Sequence, residues 1–207
     1  TRDVGVLFTA GVYRDTVLFK KRLGKAKKRA YRIAKVAQVT RAARRLFTSG
    51  AYPQGTWGHQ CVGVAPAQVL SLRRMAASST GVAVRSQRCL TSCIFVCYGI
   101  RSDPWQRVIS ELTILWIKVM PKYFANSAPE LALAWSKAKQ AVCQGPTPTT
   151  FVQIDSMKIQ WRNVTGPVSN MVATLYSVGF NPVSFSEWLC PNTGRWFVPT
   201  AVGFEFC

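Results

Sequence analysis

The chain has 207 residues, of which 48% are hydrophobic and 12% aromatic. It is therefore long and apolar enough to bury a core, and this composition excludes disorder of the chain as a whole. The formal net charge is +19, from 27 Lys and Arg against 8 Asp and Glu. This imbalance points to a polyanionic partner. Because His59 is the single histidine, a metal site with several histidine ligands within this chain is excluded.

Neither a signal peptide nor an apolar run long enough to span a membrane is found in the sequence. Because the first residue is Thr1, we expect a fragment or a processed chain. The seven cysteines include no Cys-x-x-Cys pair, a pattern typical of reduced thiols. We therefore expect an intracellular, nuclear protein that is not secreted and has no membrane partner.

The N-terminal quarter is predicted to form a short apolar strand, over residues 4–8, and then one long helix. From residue 15 to residue 48, apolar or small residues recur in steps of three or four, as on one face of a helix. Asp15 is the expected N-cap and Gly50 the expected stop, although Gly24 could interrupt the helix. The residues of the predicted buried face are Phe19, Leu23, Ala26, Ala30, Ile33, Ala37, Thr40, Ala43 and Phe47.

Further helices are predicted from start signals at Pro66, Asp103, Ser127 and Pro167, where Asp103 and Ser127 are the expected N-caps. These helices cover residues 66–79, 104–120 with a stop at Pro121, 127–143 and 167–179, and residues 85–98 are expected to form a buried helix. The segment 151–163 is either a helix or an extended piece, and the turn at 190–195 predicts a hairpin. We expect a mainly α fold: a helical bundle with a long basic N-terminal helix, a short leading strand and a small C-terminal β-hairpin. The Gly- and Pro-containing stretch 145–150 predicts a domain boundary between residues 1–144 and 145–207.

The positive charge is concentrated in the long helix, since no Asp or Glu occurs between residues 16 and 50. Such an uncompensated cluster favours phosphate binding with release of counterions. A solvated face, an acidic protein partner and a membrane surface remain alternatives, but the Ala-rich apolar face suits helix packing better than lipid insertion. The candidate nucleic-acid-binding residues are Lys20, Lys21, Arg22, Lys25, Lys27, Lys28, Arg29, Arg32, Lys35, Arg41, Arg44, Arg45, Arg73 and Arg74.

Three other groups of residues could carry chemistry. Cys89, Cys93 and Cys97 share one helical face, which suggests a metal or redox cluster, but we favour a core-facing stripe of small apolar residues. His59 could act as a base for a Cys or Ser nucleophile, yet no oxyanion motif accompanies it, and we favour a packing or hydrogen-bonding role. The third group consists of acidic residues that could form a degenerate metal-dependent nuclease site, namely Asp155, Glu187 and Glu205. The strand motif that usually accompanies such a site is not found. Most tryptophans lie at core spacings.

Several segments follow patterns that recur together in one protein family. Residues 2–6 follow a Leu-Gly-Val strand pattern with Val4 in place of Leu, residues 22–29 read Arg-x-x-Lys-Ala-x-x-Arg, and residues 46–58 read Leu-x-x-x-Gly-x-x-Pro-x-x-x-x-Gly. Together they resemble the region that follows the palm in reverse transcriptases of non-LTR (LINE-type) retrotransposons. The segments that are similar to its later helices and Trp-rich hairpin are 66–74, 89–91, 161–167 and 179–188.

The resemblance implies that the chain is the thumb-like, C-terminal part of an RNA-directed DNA polymerase. It would grip the backbone of RNA, an RNA–DNA hybrid or DNA, with an upstream polymerase domain as a further partner. The Asp-Asp pair of the polymerase is absent, so no catalytic or metal-binding residue and no cofactor is implied here; Mg²⁺ would belong to an absent palm domain. The alternatives are a non-catalytic helical scaffold, either a decayed element or a module that binds an acidic protein, and a small hydrolase that uses His59.

Overall fold

The computed structural model describes residues 2–3, 6–7, 13–82, 89–143, 158–200 and 203–206. Most of these residues are helical, which confirms the predicted mainly α class. Near the N-terminus, two short strands, β1 (Arg2–Asp3) and β2 (Val6–Leu7), pair with each other. The α-helices of the described residues are α1 (Val17–Val39), α2 (Tyr52–Thr56), α3 (His59–Val62), α4 (Pro66–Ser78), α5 (Leu90–Tyr98), α6 (Pro104–Val142) and α7 (Pro167–Ser177).

Helix α1 has Thr16 as its N-cap instead of the predicted Asp15, and it is shorter than expected. The Oδ1 atom of Asp15 accepts the N–H of Val17 at 2.8 Å, and Gly24 does not interrupt the helix. The helix ends at Val39 because Thr40 adopts an extended backbone, next to β-branched residues that lose side-chain freedom in a helix. The predicted continuation to residue 48 is therefore wrong. The chain turns instead through a 3₁₀ segment (Arg41–Arg44) and a π-helical turn (Phe47–Ala51), which contains the glycine expected to stop the helix.

Helix α6 starts at the predicted cap but passes the predicted stop. Asp103 accepts the N–H of Trp105 at 2.9 Å through its side chain, and Pro104 occupies the first turn. The stop predicted at Pro121 is wrong, since helical backbone continues to Val142. The kink lies at Ser127, which is the N-cap predicted for the next helix and has a non-helical backbone (φ −140°, ψ 24°). The two predicted helices thus form one kinked helix.

Two clusters of buried apolar side chains hold the helices together. In the first, α1, α2 and α4 pack with Ile94 of α5 and Val108 of α6. Every residue of the predicted buried face of α1 and its continuation is buried except Leu23, which packs at the edge, and Thr40, which is exposed. The second cluster joins the rest of α6 to α7 and the C-terminal strands. Helix α6 therefore contributes to both cores.

The C-terminal strands form a four-stranded antiparallel sheet in the order β3 (Asn181–Ser184), β4 (Glu187–Cys190), β5 (Arg195–Thr200) and β6 (Gly203–Phe206). The predicted hairpin is its central pair, in which Cys190 lies opposite Arg195. Two tryptophans of α6 attach the sheet to the bundle: Trp135 donates to the carbonyl of Pro182 and Trp116 to that of Phe185, both at 3.1 Å. The sheet thus packs on helices from the other side of the predicted domain boundary.

The predictions for the remaining helices are confirmed in part. Helices α4 and α7 match their predicted ranges closely. The helix predicted over residues 85–98 covers Leu90–Tyr98, while residues 83–88 lie outside the described part. The prediction that it is buried is wrong, because only Ile94 is buried and Val96 is 84% exposed. The boundary stretch 145–150 also lies outside the described residues, as does segment 151–157 of the undecided piece. A 3₁₀ turn (Trp161–Asn163) follows.

Candidate nucleic-acid interface

Five cations of α1 form one row on its outer face, which we call the cationic stripe. They follow one another at spacings of four, three, four and three residues, so they share the helix face that lies opposite the buried one. All five are exposed. At a rise of about 1.5 Å per residue, the stripe extends over roughly 21 Å. Its residues are Lys21, Lys25, Lys28, Arg32 and Lys35.

The other four cations of α1 lie on the flanks of the stripe. Lys20 and Lys27 are exposed on one side. On the other side, Arg22 donates to the backbone carbonyl of Trp57 at 3.0 Å. Arg29 lies against Gly50, where a Cβ atom would come within 2.8 Å of its guanidinium carbon. The arginines therefore connect α1 to the turns that follow it, while the lysines extend the positive surface.

No described acidic side chain neutralises the stripe. The ion pairs of the described residues use Asp103 and Glu111, which are bound to cations outside α1. Within the stripe itself, Lys35 lies over the ring of Tyr31, with 4.8 Å between the ammonium and the ring centroid. Like charges at three- and four-residue spacing repel one another along a helix. A polyanion placed on this face would relieve that repulsion.

The five secondary candidates divide into two groups. Arg41, Arg45 and Arg74 are exposed. Arg44 is half-buried and donates to the carbonyl of Thr80 at 2.7 Å, closing the turn that follows α1. Arg73 forms an ion pair with Asp103, with 3.0 Å between Nη2 and Oδ2. The structure thus uses Arg44 and Arg73 for internal contacts and presents the other three to solvent.

A second polar cluster lies between α2, α3 and α6, and among its members only the histidine was predicted from the sequence as a candidate site residue. Glu111 stands at its centre: Oε1 accepts from Nε and Nη2 of Arg107 at 3.1 and 2.9 Å, and Oε2 accepts from Tyr52 at 3.2 Å. His59 is 2% exposed; its Nδ1 atom is 2.9 Å from the carbonyl of Thr56, and its Nε2 atom is 3.5 Å from Oε2 of Glu111. The Arg107 guanidinium also stacks 3.9 Å from the Tyr52 ring centroid.

Burial shifts the ionisation of this cluster. It lowers the pKa of His59 below its ordinary value, although the negative charge of Glu111 acts in the opposite direction. It raises the pKa of Tyr52, and Glu111 adds to that shift. Burial also raises the pKa of the Cys61 thiol, which lines the same cavity. The neutral forms of the histidine, the phenol and the thiol are therefore favoured.

This geometry does not assemble the expected parts of a hydrolase. The polar neighbours of the His59 ring are the backbone groups of Thr56 and Val108 and the carboxylate of Glu111, rather than a Ser or Cys nucleophile. A thiol whose pKa is raised is also a poor nucleophile, because the thiolate is the reactive form. The packing and hydrogen-bonding role that the sequence favoured for His59 agrees with these contacts.

The remaining candidate groups are dispersed. The prediction that the three-cysteine stripe faces the core is wrong, since Cys89 is exposed and Cys93 and Cys97 are half-buried. Cys97 accepts from Nη1 of Arg44 at 3.5 Å. Glu187 is exposed, and the side chains of Asp155 and Glu205 lie outside the described part. Among the described residues, no three His, Cys, Asp or Glu side chains converge as a metal site requires.

The tryptophans are not uniformly part of the core. Trp116, Trp135 and Trp188 are buried, whereas Trp57 is 55% exposed and Trp196 is 37% exposed. Across the described helices, none is long and apolar enough to cross a membrane. No protein-family model, no curated protein and no solved structure matches this chain. The resemblance to retrotransposon polymerases therefore stays a prediction.

Proposed function

We propose that the chain binds the phosphate backbone of nucleic acid through the cationic stripe, as the part of a retrotransposon-type RNA-directed DNA polymerase that grips the template and primer. The observation that carries the proposal is the row of five exposed cations on α1, which no described acid neutralises. In this proposal the chain holds RNA, an RNA–DNA hybrid or DNA and has no catalytic site of its own.

Simple electrostatics supports this assignment. Each phosphate that a Lys or Arg neutralises releases a condensed counterion, so binding weakens steeply as salt rises. Contacts to phosphate position a protein on nucleic acid but carry no sequence information. A helix that presents cations along roughly 21 Å can follow several phosphates of one strand. The expected binding is therefore strong at low salt and largely independent of sequence.

The test compares two variants that lose the same number of positive charges. The stripe variant replaces Lys21, Lys25, Lys28, Arg32 and Lys35 by Gln. The control variant replaces five cations that lie outside α1 and its continuation and are also exposed: Arg101, Lys118, Lys137, Lys158 and Arg195. Affinity for labelled RNA, RNA–DNA hybrid and duplex DNA is measured by fluorescence anisotropy over a salt series.

With each phosphate contact contributing about 0.9 to the slope of log K against log salt on duplex DNA, the stripe variant should flatten that slope by roughly 4 to 5. The control variant should keep most of the slope, because its charges are spread over the surface. Equal losses in both variants would mean that net charge alone drives binding. Unchanged affinity in the stripe variant would mean that the stripe is a solvated face or binds an acidic protein.

A further inference from the structure

A cavity of about 390 Å³ opens beside the cationic stripe, between the α2–α3 turn and α6. The polar cluster around Glu111 and the ring of Trp57 line it. Since Arg22 of α1 donates to the carbonyl of Trp57, the mouth of the cavity borders the surface that we propose for phosphate binding. Its volume lies within the range that small organic ligands occupy in proteins.

The buried end of this cavity holds a hydrogen-bond acceptor that lacks a donor. A backbone carbonyl can only accept, so the contact with Thr56 places the ring proton of neutral His59 on Nδ1. Nε2 then carries a lone pair, and it makes no hydrogen bond to any described residue. The nearest charged atom is Oε2 of Glu111, 3.5 Å away and also an acceptor. An unsatisfied buried acceptor is costly, and an N–H group placed between these two atoms would remove that cost.

The other end of the cavity offers an aromatic surface. Trp57 is 55% exposed, whereas a tryptophan of a small protein is ordinarily well buried. Exposed aromatic rings beside a positive groove are how proteins bind unpaired bases, because every base can stack on such a ring. The cavity thus combines a stacking surface at its mouth with two acceptors inside.

We propose that this cavity takes an unpaired nucleobase from a strand whose phosphates lie on the cationic stripe, an inference that rests on the proposed function. The base stacks on Trp57, and its amino group donates to Nε2 of His59 and Oε2 of Glu111. Arg107 and Tyr52 are positioning residues, because their hydrogen bonds fix the Glu111 carboxylate. Adenine, cytosine and guanine carry an exocyclic amino group, whereas uracil does not.

The experiment measures the affinity of 12-nucleotide single strands of adenylate, cytidylate and uridylate, and of a blunt 12-base-pair RNA–DNA hybrid. The variants are Trp57→Ala and Trp57→Phe, with Trp196→Ala as the matched control, since it removes another partly exposed tryptophan from the C-terminal sheet. Circular dichroism and thermal melting establish that each variant folds. Because only the backbone carbonyl of Trp57 meets Arg22 in that hydrogen bond, the substitution leaves the bond in place.

Trp57→Ala should weaken binding of adenylate and cytidylate strands about tenfold, while Trp57→Phe keeps most of the affinity. The hybrid should bind the wild type and all three variants equally, with one salt slope. The wild-type preference for adenylate and cytidylate over uridylate should shrink in Trp57→Ala.

Two results would overturn the inference: unchanged single-strand affinity in Trp57→Ala, or an equal loss in Trp196→Ala. If hybrid binding still depends on the stripe, such a result refutes the nucleobase site and leaves the proposed function intact. If neither single strands nor the hybrid bind, the proposed function fails together with the inference.

Discussion

Asn170 of α7 donates its side-chain amide to the backbone carbonyl of His59 at 3.0 Å, although the two residues are 111 positions apart. The same amide nitrogen donates to the carbonyl of Gln60, also at 3.0 Å. Helix α3 has only four residues, and the carbonyl of His59 also accepts the N–H of Gly63 at 2.8 Å. Asn170, which is 2% exposed, therefore adds a second donor at His59 and supplies one to Gln60. The C-terminal part of the chain therefore holds one wall of the cavity in place.

Asn170→Ala should lower the free energy of unfolding by about 1–3 kcal/mol, because it removes both hydrogen bonds and takes the side-chain donor from the carbonyl of Gln60. Asn170→Asp should be at least as damaging, since a carboxylate cannot donate to a carbonyl. Urea unfolding measures both effects. The control is Asn192→Ala, in the exposed hairpin turn, which should change stability by less than about 0.5 kcal/mol. Equal effects at the two positions would contradict the bridging role.

Local signals in the sequence predicted a large part of the fold. The three- and four-residue spacing identified the buried face of α1 correctly, and with it the opposite face that carries the stripe. Pro66 and Pro167, each at a helix start, were enough to locate α4 and α7. These features depend on neighbours within one or two turns, which a sequence displays directly.

Features that depend on distant contacts could not be predicted in the same way. Glu111 contacts Tyr52 and His59, which lie more than fifty residues earlier in the chain, and no local sequence pattern predicts these contacts. Helix α6 continues past the stop predicted at Pro121, and Gly81 lies close to Ala37 in the last turn of α1. Contacts between residues that are far apart in the chain can override local propensity.

Stability should fall as the pH drops below the ordinary pKa of histidine, 6.5. Burial lowers the pKa of His59 in the folded chain, so the unfolded chain binds the proton more readily. The stabilisation that depends on neutral His59 is complete above the pKa of this histidine in the unfolded chain. It is lost as the pH falls through its pKa in the folded chain. The charged groups at the ring are Glu111 and Arg107. Urea unfolding at pH 7.5, 6.5 and 5.5 (about one unit either side of the reference) measures the slope.

His59→Gln provides the comparison for that slope. It retains a polar side chain but cannot take up a proton in this pH range. Its free energy of unfolding should vary less between pH 7.5 and 5.5 (roughly the range in which histidine titrates) than that of the wild type. If both proteins lose stability equally over this range, other groups cause the slope and the contribution of His59 is refuted.

Gly24→Ala should stabilise the chain by about 0.5–1 kcal/mol and raise its melting temperature by roughly 1–4 °C. Gly24 lies inside α1 and is exposed, and a Cβ atom there would meet nothing within 4 Å. The gain is the ordinary preference of a helix for Ala over Gly. Gly55→Ala is the control, because its Cβ would lie 3.1 Å from that of Ala26, where α1 and α2 pack. A gain at both positions would mean that this packing is loose.

Gly81→Ala should destabilise the chain for two separable reasons. Its φ of +68° costs a residue with a Cβ about 1–2 kcal/mol, and that Cβ would lie 2.6 Å from the backbone carbonyl carbon of Ala37. Gly194 has a similar φ of +65° but open space around it. Gly194→Ala therefore measures the cost of the positive φ alone, and the additional loss in Gly81→Ala measures how closely Gly81 approaches Ala37. Equal losses, determined by urea unfolding, would contradict the close approach of Gly81 to Ala37.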